Sequence, residues 1–503
     1  MPTSTTTDPA RDQSVLAALR SPARLRTEVL AGLVVALALI PEAISFSIIA
    51  GVDPRVGLFA SFTMAVTISI VGGRPAMISA ATGAVALVVA PLVADHGLDY
   101  LIAAVILAGV VQIVLALAGV AKLMRFIPRS VMVGFVNALA ILIFIAQLTH
   151  LFGVPWLVYP MVAVGLAIMV FLPRLNSIVP APLVAIVLLT AATVAFGWNQ
   201  VPNVGDEGDL PSSLPSFLIP DVPYTWHTLS IIAPYAVTMA IVGLLESLMT
   251  AKFVDDITDT HSDKTRESTG QGVANIVTGF FGGLGGCAMI GQTMINVKVS
   301  GARTRISTFL AGVFLLILVV GLGDIVALIP MAALVAVMVM VSVGTFDWHS
   351  ITPATLQRMP KSETLVMVVT VAVTVPTGNL AYGVGAGTLT AMVLFARRVA
   401  HLTEVVDVTG PDAAPETRVY AVHGQLFFAS SNDLIYQFDY VGDPANVVID
   451  LADARIWDAS TVATLDAITM KYAAKGTTVT IVGLDETSAQ RHSRLTGTLT
   501  GAH

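Results

Sequence analysis

The stretch PAMISAATGAVALVV, residues 75–89, is a short apolar segment that opens with small and polar residues. A comparable segment, GCAMIGQTMINV, occupies residues 286–297, and its Ala288 lies 209 positions after Ser79 (288 − 79). Glu42 and Glu246, each in an apolar run, are separated by a similar 204 positions (246 − 42). Two apolar halves with matching interrupted segments are typical of membrane transporters, and they predict a site where the interruptions meet near mid-membrane.

The composition agrees with a membrane protein. The 503 residues are 55% hydrophobic and 12% charged, with a mean hydropathy of +0.82, which is too little charge to cover a soluble protein of this length. The single cysteine, Cys287, excludes an internal disulfide and a Cys-rich metal site. No GxGxxG, GK[ST] or HExxH pattern is present. We therefore expect no enzyme, no metal or cofactor and no nucleic-acid partner.

Apolar runs long enough to cross a hydrocarbon core recur from about residue 26 to residue 400. With a cytoplasmic N-terminus, nearly all basic loop residues fall on the cytoplasmic side. Seven spans per half is an odd number, so the second half must be inverted relative to the first. The fourteen predicted spans are 26–49, 56–72, 79–94, 100–121, 130–150, 156–172, 179–197, 230–252, 270–284, 289–300, 305–323, 325–343, 363–379 and 381–399.

The domain boundaries are predicted from changes in composition. The first residues are Thr-rich and polar, which is typical of a disordered terminus. Hydrophobicity falls after Arg398, and the last part of the chain alternates strand-like and helix-like patterns. The predicted divisions are a disordered cytoplasmic N-terminus at 1–20, a transmembrane domain at 21–400 with repeats at about 26–197 and 230–400, a linker at 401–415 and a small α/β domain at 416–503.

The interrupted segments in spans 3 and 10 are the candidate substrate site. A helix that starts inside the membrane has unpaired N–H groups and a partial positive charge at that end, so two facing starts would attract an anion. The alternative is that the small residues only allow close helix packing. The predicted substrate-binding residues are Phe46, Ser79, Ala80, Ala81, Thr82, Gly83, Ile290, Gly291, Gln292 and Thr293.

Glu42 and Glu246 are the two acidic residues most clearly inside the bilayer. Ionisable groups there are expensive and usually functional, and burial favours the neutral carboxyl. Two charged carboxylates beside an anion site would repel the substrate unless they were protonated. We therefore expect both to act in proton coupling, which favours proton–anion symport. For Glu42 the alternative is a hydrogen bond to the backbone, because the adjacent Pro41 frees a carbonyl.

The C-terminal residues predict a small sheet with helices. TRVYAVHG, ANVVIDLADA and TTVTIVGL are strand candidates. Helices are predicted in SSNDLIYQFDYV and in DASTVATLDAITMKYAA, where Val462, Leu465, Ile468 and Tyr472 share a face. Ser460, just before the apolar part of the second helix, is interpreted as an N-cap, which alone explains a serine there.

Five segments carry a resemblance to a known family: IPEAISFSIIAGVDPRVGLFASF (40–62), GGRPAMISAATGAVA (72–86), PRSVMVGF (128–135), GQTMINVKVSGARTR (291–305) and NVVIDLADARIWDASTVATLDAI (446–468). Through them the chain resembles the SulP family of anion transporters, also called solute carrier family 26. The last segment resembles a STAS domain, the fold of anti-sigma-factor antagonists. That resemblance places Ser460 where related soluble STAS proteins are phosphorylated, which implies a regulatory role as the alternative to the N-cap.

The resemblance implies an α-helical polytopic membrane protein with fourteen transmembrane segments. It implies two inverted seven-span repeats, divided into core and gate domains as in uracil permeases, followed by a cytoplasmic α/β STAS domain. It also implies a homodimer. Many animal relatives carry Gln in place of Glu42 and a basic residue near Thr293, so this chain departs from them at both positions.

The expected function is import of a small anion with protons by alternating access, of the elevator or rocking type, across the cell inner membrane. Among family substrates we expect a C4-dicarboxylate such as fumarate. One alternative is sodium-coupled bicarbonate or sulfate uptake, with sodium ligands from Thr293 and Ser247. Another is a non-transporting sensor or scaffold that signals through STAS, against which the symmetric interrupted segments argue.

Overall fold

The computed structural model describes residues 13–119, 122, 127–175, 181–400, 403–410 and 416–498. The chain divides into two compact units, one through Thr388 and the other from Leu389. Over its described residues, the first unit is helical apart from two short paired strands, and the second contains a five-stranded sheet. Within the same described ranges, fourteen helical spans follow one another in the order that the sequence predicts.

Seven spans make up the first half. Span 1 begins at Pro22, whose ring suits the first helical turn, and ends before Gly51, which adopts a left-handed conformation with φ 75°. Span 3 begins at Gly83, four residues later than predicted, because Ser79 and Ala80 form a strand, β1. The bounds are Pro22–Ala50, Pro54–Val71, Gly83–His96, Leu98–Leu117, Arg129–Leu148, Val158–Leu175 and Ala181–Phe196.

The second half differs most from prediction at two starts, those of spans 9 and 12. Span 9 begins at Lys264 rather than 270, because its first turns are polar and Asp263 caps them by accepting from Arg266 N. Span 12 begins at Met331, directly after Pro330, and residues Gly323–Ala327 form a separate helix. The bounds are Trp226–Thr258, Lys264–Phe280, Ile290–Met294 continued as a π-helix over Ile295–Val299, Arg305–Gly321, Met331–Thr345, Lys361–Thr377 and Leu380–Ala400.

Shorter elements connect the spans. The strand β2, Cys287–Ala288, precedes span 10. Residues 15–19, which composition predicted to be disordered, instead form a helix capped by the Ser14 side chain; residues 1–12 lie outside the described part of the chain. The short helices are Val15–Leu19, Gly323–Ala327 and Pro353–Arg358, with 3-10 turns at Thr149–Leu151, Val204–Asp206 and Trp348–Ile351.

The spans form two groups. Spans 1–4 pack mainly on spans 8–11, and we call this group the core; spans 5–7 pack with spans 12 and 13, and we call this group the gate. Span 14 joins the gate at Gly383, where a Cβ would collide with the Thr374 hydroxyl of span 13. Each group therefore takes matching spans from both halves, as two inverted repeats require. Among the described helices, spans 1, 2, 4, 5, 8 and 14 are long and apolar enough to cross a membrane by themselves.

The second unit contains five strands and three helices in its described residues: β3 (Glu404–Asp407), β4 (Thr417–Leu426), β5 (Asn446–Asp450), β6 (Ala454–Ile456), β7 (Thr478–Val482), α1 (Phe428–Leu434), α2 (Ala459–Ala473) and α3 (Glu486–Leu495). The sheet has the strand order β3-β4-β5-β7, and β6 also pairs with β4. β3 is antiparallel to β4, whereas the other pairings are parallel.

In the second unit, the predicted buried face of α2 is confirmed, whereas the bounds of β3 and α1 differ from the prediction. The predicted face of α2 is fully buried: Val462, Leu465, Ile468 and Tyr472 are each 0% exposed. β3 lies inside the predicted linker, because it pairs along β4. The helix α1 is shorter than predicted; further on, Asp439 accepts hydrogen bonds from Val441 N and Gly442 N and forms a turn.

Ser460 is not the cap of α2. Asp458 is the N-cap, and its Oδ1 accepts from Thr461 N at 3.0 Å. Its other oxygen accepts from Phe428 N at 2.6 Å, so the same carboxylate also holds the start of α1. Ser460 is exposed in the first turn of α2, and its regulatory role remains a prediction.

A buried carboxylate organises the aromatic core of this unit. Asp443 has a side chain that is 1% exposed and accepts from Tyr420 Oη at 3.0 Å and Tyr472 Oη at 2.5 Å. Burial raises the pKa of Tyr420 to about 12, and the hydrogen bond to Asp443 adds to this effect. Both hydroxyls therefore stay protonated donors at neutral pH.

Replacing Asp443 with Ala is expected to destabilise the second unit by about 3 kcal/mol, because two inward-facing hydroxyls lose their acceptor. Protease resistance of this unit across a urea series, measured on the full-length protein, checks the prediction. Asp453→Ala is the matched control, since that side chain is 75% exposed, and it should change the urea midpoint little. Equal midpoints for the two variants would contradict the role given to Asp443.

Candidate functional site

The two interrupted segments cross side by side. β1 and β2 are antiparallel, with Ser79 opposite Ala288 and Ala80 opposite Cys287. Ser79 and Ala288 are the two positions that the repeat offset related. Span 3 begins at Gly83 and span 10 at Ile290, so each helix starts shortly after its strand. The first turns of both helices consequently lie next to each other inside the core.

Side chains of neighbouring spans hold the extended segments in place. Ser247 Oγ of span 8 accepts from Ala288 N at 3.0 Å, and Asn275 of span 9 bonds both Gly286 N and Gly286 O. Gly286 is required at this crossing, since a Cβ there would lie 2.0 Å from Ala80 O. These bonds satisfy backbone groups that could not remain unpaired in the membrane.

A cavity of about 530 Å³ opens at these helix starts, between core and gate. The gate contributes mainly apolar side chains, among them Phe135, Ile143 and Met340. No basic side chain lines it among the described residues. The predicted site residues that line it are Glu42, Phe46, Thr82, Gly83, Glu246, Ile290, Gly291 and Gln292.

Both predicted carboxylates reach this cavity. Glu42 and Glu246 are 7% and 6% exposed, so they are nearly enclosed by protein. Glu246 Oε2 accepts from Cys287 Sγ at 3.0 Å, and the same sulfur lies 3.2 Å from Thr82 Oγ1. The carboxyl of span 8 is thus linked, through β2, to the residue that caps span 3.

Four predicted substrate-binding residues do not line the cavity. Ser79 Oγ accepts from Gln271 Nε2 at 2.7 Å, and Thr293 Oγ1 accepts from Ile78 N at 3.0 Å. Ala80 and Ala81 are buried against the core, where Ala81 N donates to Ser61 Oγ. These residues hold the crossing in place instead of facing the cavity.

Several residues that shape the site escaped sequence reasoning. Cys287 carried no signal, because a lone buried cysteine is ordinary in an apolar segment. The gate residues gave none either, since apolar side chains in an apolar span look alike whether they face lipid or a cavity. Two buried polar side chains in other spans make hydrogen bonds between elements: Gln112 of span 4 accepts from Asn275 of span 9, and Asn137 of span 5 donates to Ser350 Oγ.

Paired interrupted helices, inverted repeats and a cavity at their crossing that holds two carboxyl side chains define a class: a multi-pass membrane transporter. The sulfate permease family matches residues 25–164 and 156–370, and the STAS domain matches residues 409–498. The chain therefore belongs to the sulfate permease family and carries a STAS domain. It is an anion transporter of that family and not an enzyme.

Individual relatives agree with this assignment. YbaR of Bacillus subtilis, named as a sulfate transporter, is 55% identical over 92% of this chain and 95% of its own length. The bicarbonate transporter BicA of a Synechocystis species is 27% identical over 87% of this chain and 85% of its own.

Solved structures share the fold. Murine solute carrier 26 family member A9, in the inward-facing state, has a TM-score of 0.81 at 16% identity and covers 98% of this chain and 92% of its own. The transmembrane domain of cyanobacterial BicA has a TM-score of 0.65 at 24% identity, over 73% of this chain and 97% of its own. The fold class predicted from the sequence is confirmed.

Proposed function

We propose that this protein imports a small anion together with protons, and that the anion binds where spans 3 and 10 begin. The observation that carries the proposal is one cavity in contact with both helix starts and with both Glu42 and Glu246. An anion there would meet the unpaired N–H groups of two helices. No basic side chain among the described lining residues competes for that role.

The proton's role follows from charge. Glu246 and Glu42 are almost fully enclosed, so a charged carboxylate at either position lacks hydration. An anion entering beside two charged carboxylates would be repelled, whereas a neutral pair would admit it. Release of the proton on the other side restores the repulsion and expels the anion. Movement of core against gate, which meet at the cavity, supplies alternating access.

For the substrate we propose a C4-dicarboxylate such as fumarate, with sulfate or bicarbonate as the second candidate. The names of YbaR and BicA favour the second candidate. Sodium coupling is the less favoured mechanism. The hydroxyls of Ser247 and Thr293, the expected sodium ligands, each accept a hydrogen bond from a backbone N–H instead of facing the cavity.

We further propose a homodimer in the inner membrane with the N-terminus and the STAS domain in the cytoplasm. The orientation rests on the basic loop residues, which this arrangement places almost wholly inside. The homodimer rests on family resemblance. The domain boundaries that we propose are those predicted from the sequence, except that the C-terminal α/β domain begins at Glu404, the first residue of β3.

The substrate proposal is tested by uptake into proteoliposomes. Labelled fumarate, sulfate and bicarbonate are each offered to the purified protein, and each is competed with the other two unlabelled. Preferential uptake of fumarate supports the dicarboxylate, and preferential uptake of sulfate or bicarbonate replaces it with the second candidate. Uptake of none above protein-free vesicles would overturn the proposal of anion import.

Removing residues 404–503, from the first residue of β3 onward, is expected to leave a membrane domain that inserts and folds, because the backbone bonds of its spans close within that domain. We expect uptake to persist at a reduced rate. Membrane fractionation and proteoliposome uptake of the truncated and full chains check this. Failure of the truncated chain to insert would contradict separable domains.

A further inference from the structure

The starts of spans 3 and 10 carry different residues at one pair of positions that the repeat relates. The offset that relates Ser79 to Ala288 also relates Thr82 to Gly291 (291 − 82 = 209). Thr82 carries a hydroxyl, which caps span 3 by accepting from Val85 N at 3.4 Å. Gly291, in the first turn of span 10, carries no side chain. Both residues line the same cavity.

Space around the two starts differs as well. At Gly83 a Cβ would lie 2.9 Å from Phe46 Cε1 and 3.2 Å from Ile143 Cδ1, so this side of the cavity is closed by rings and methyl groups. At Gly291 a Cβ would meet no heavy atom within 4 Å. The residue is exposed to the cavity. The free room for a bound molecule therefore lies on the span 10 side.

Gly291 is not needed for the backbone. Its φ is not in the left-handed region, and other residues of the first turn, Ile290 and Gln292, carry full side chains. A helix position with an ordinary backbone and open space accepts alanine without strain and favours it over glycine. Glycine at position 291 therefore leaves room in the cavity and is not required by the backbone conformation.

We propose that Gly291 sets the upper size of the anion that this transporter accepts. The inference rests on the proposed function, in which the anion occupies this cavity. A methyl group at Gly291 would project into the space beside the bound anion. A C4-dicarboxylate or another large anion loses that space, whereas a compact anion such as bicarbonate on the same N–H groups does not. A larger side chain at Gly291 should therefore weaken binding of large anions while transport of compact anions continues.

The test uses Gly291→Ala and Gly291→Val, with Gly321→Ala as control. Gly321 ends span 11, lies outside the cavity lining and also has nothing within 4 Å of its Cβ position. The label is whichever of bicarbonate, sulfate or fumarate the wild type takes up. Inhibition constants are then measured for the three unlabelled anions.

We expect the ratio of the fumarate to the bicarbonate inhibition constant to rise about tenfold in Gly291→Ala and further in Gly291→Val, a size penalty of the order seen for one methylene in a filled pocket. The ratio should stay unchanged in Gly321→Ala. An unchanged ratio in both Gly291 variants would overturn the inference. Where a variant loses turnover, the thermal stabilisation that each anion gives the purified protein yields the same ratio. Absence of uptake in the wild type would instead count against the proposed function.

Discussion

Replacing Glu246 with Gln is expected to abolish accumulation driven by a pH gradient while leaving anion exchange in place. Gln has the shape of the protonated carboxyl, so it admits the anion but carries no proton. A gradient of about one pH unit supplies roughly 1.4 kcal/mol per proton, enough for about tenfold accumulation of the anion. That accumulation should fall to the level of equilibration in the variant.

The measurement compares labelled-anion uptake by reconstituted wild type and Glu246→Gln at several external pH values. Glu363→Gln is the matched control, because this side chain is exposed at the start of span 13, and it should behave as the wild type. Unchanged accumulation in Glu246→Gln would exclude Glu246 as the coupling group. Glu42, which lines the same cavity, would then be the next group to test.

Replacing Gly286 with Val is expected to abolish transport and to destabilise the membrane domain by at least about 3 kcal/mol. The added Cβ would lie 2.0 Å from Ala80 O and 2.6 Å from the Ala80 carbonyl carbon. Both atoms belong to the backbone of β1, which pairs with Cys287 of β2, so the neighbour cannot move aside without separating the strands.

Thermal unfolding in detergent and uptake after reconstitution check this expectation. Gly321→Ala serves as the control, since open space surrounds that position. A folded Gly286→Val protein with uptake near the wild-type level would show that the strand crossing is dispensable.

The spans were predictable because hydrophobicity alone identifies segments that cross a bilayer. The early start of span 9 was not, since its first turns are polar and are held by an Asp263 cap that hydropathy does not register. The STAS helix α2 was predictable from its apolar face, but its cap was assigned to Ser460 instead of Asp458. Asp, Ser and Thr are all common N-cap residues and all three occur within this stretch. Only the backbone geometry at the start of the helix shows which of them is the cap.

The site was predictable in location and only in part by residue. The repeat offset identified the two crossing segments because both halves keep the interruption. It could not tell that Ser79 and Thr293 face the core. Ser79 lies in the two-residue strand β1 and Thr293 in the first turns of span 10, and the direction of each side chain depends on the elements packed against it. The apolar side chains that the gate contributes to the cavity could not be predicted from the sequence. In sequence, Phe135 cannot be distinguished from a residue that faces lipid.

We propose that protons drive a small anion through the cavity between core and gate. The decisive measurement is uptake of the labelled anion into proteoliposomes under an inward proton gradient, with an inward sodium gradient and no gradient as comparisons. We expect accumulation above equilibrium under the proton gradient alone, and loss of that accumulation when a protonophore collapses the gradient. Uptake that is indifferent to the proton gradient, or that follows the sodium gradient instead, would rule out proton coupling.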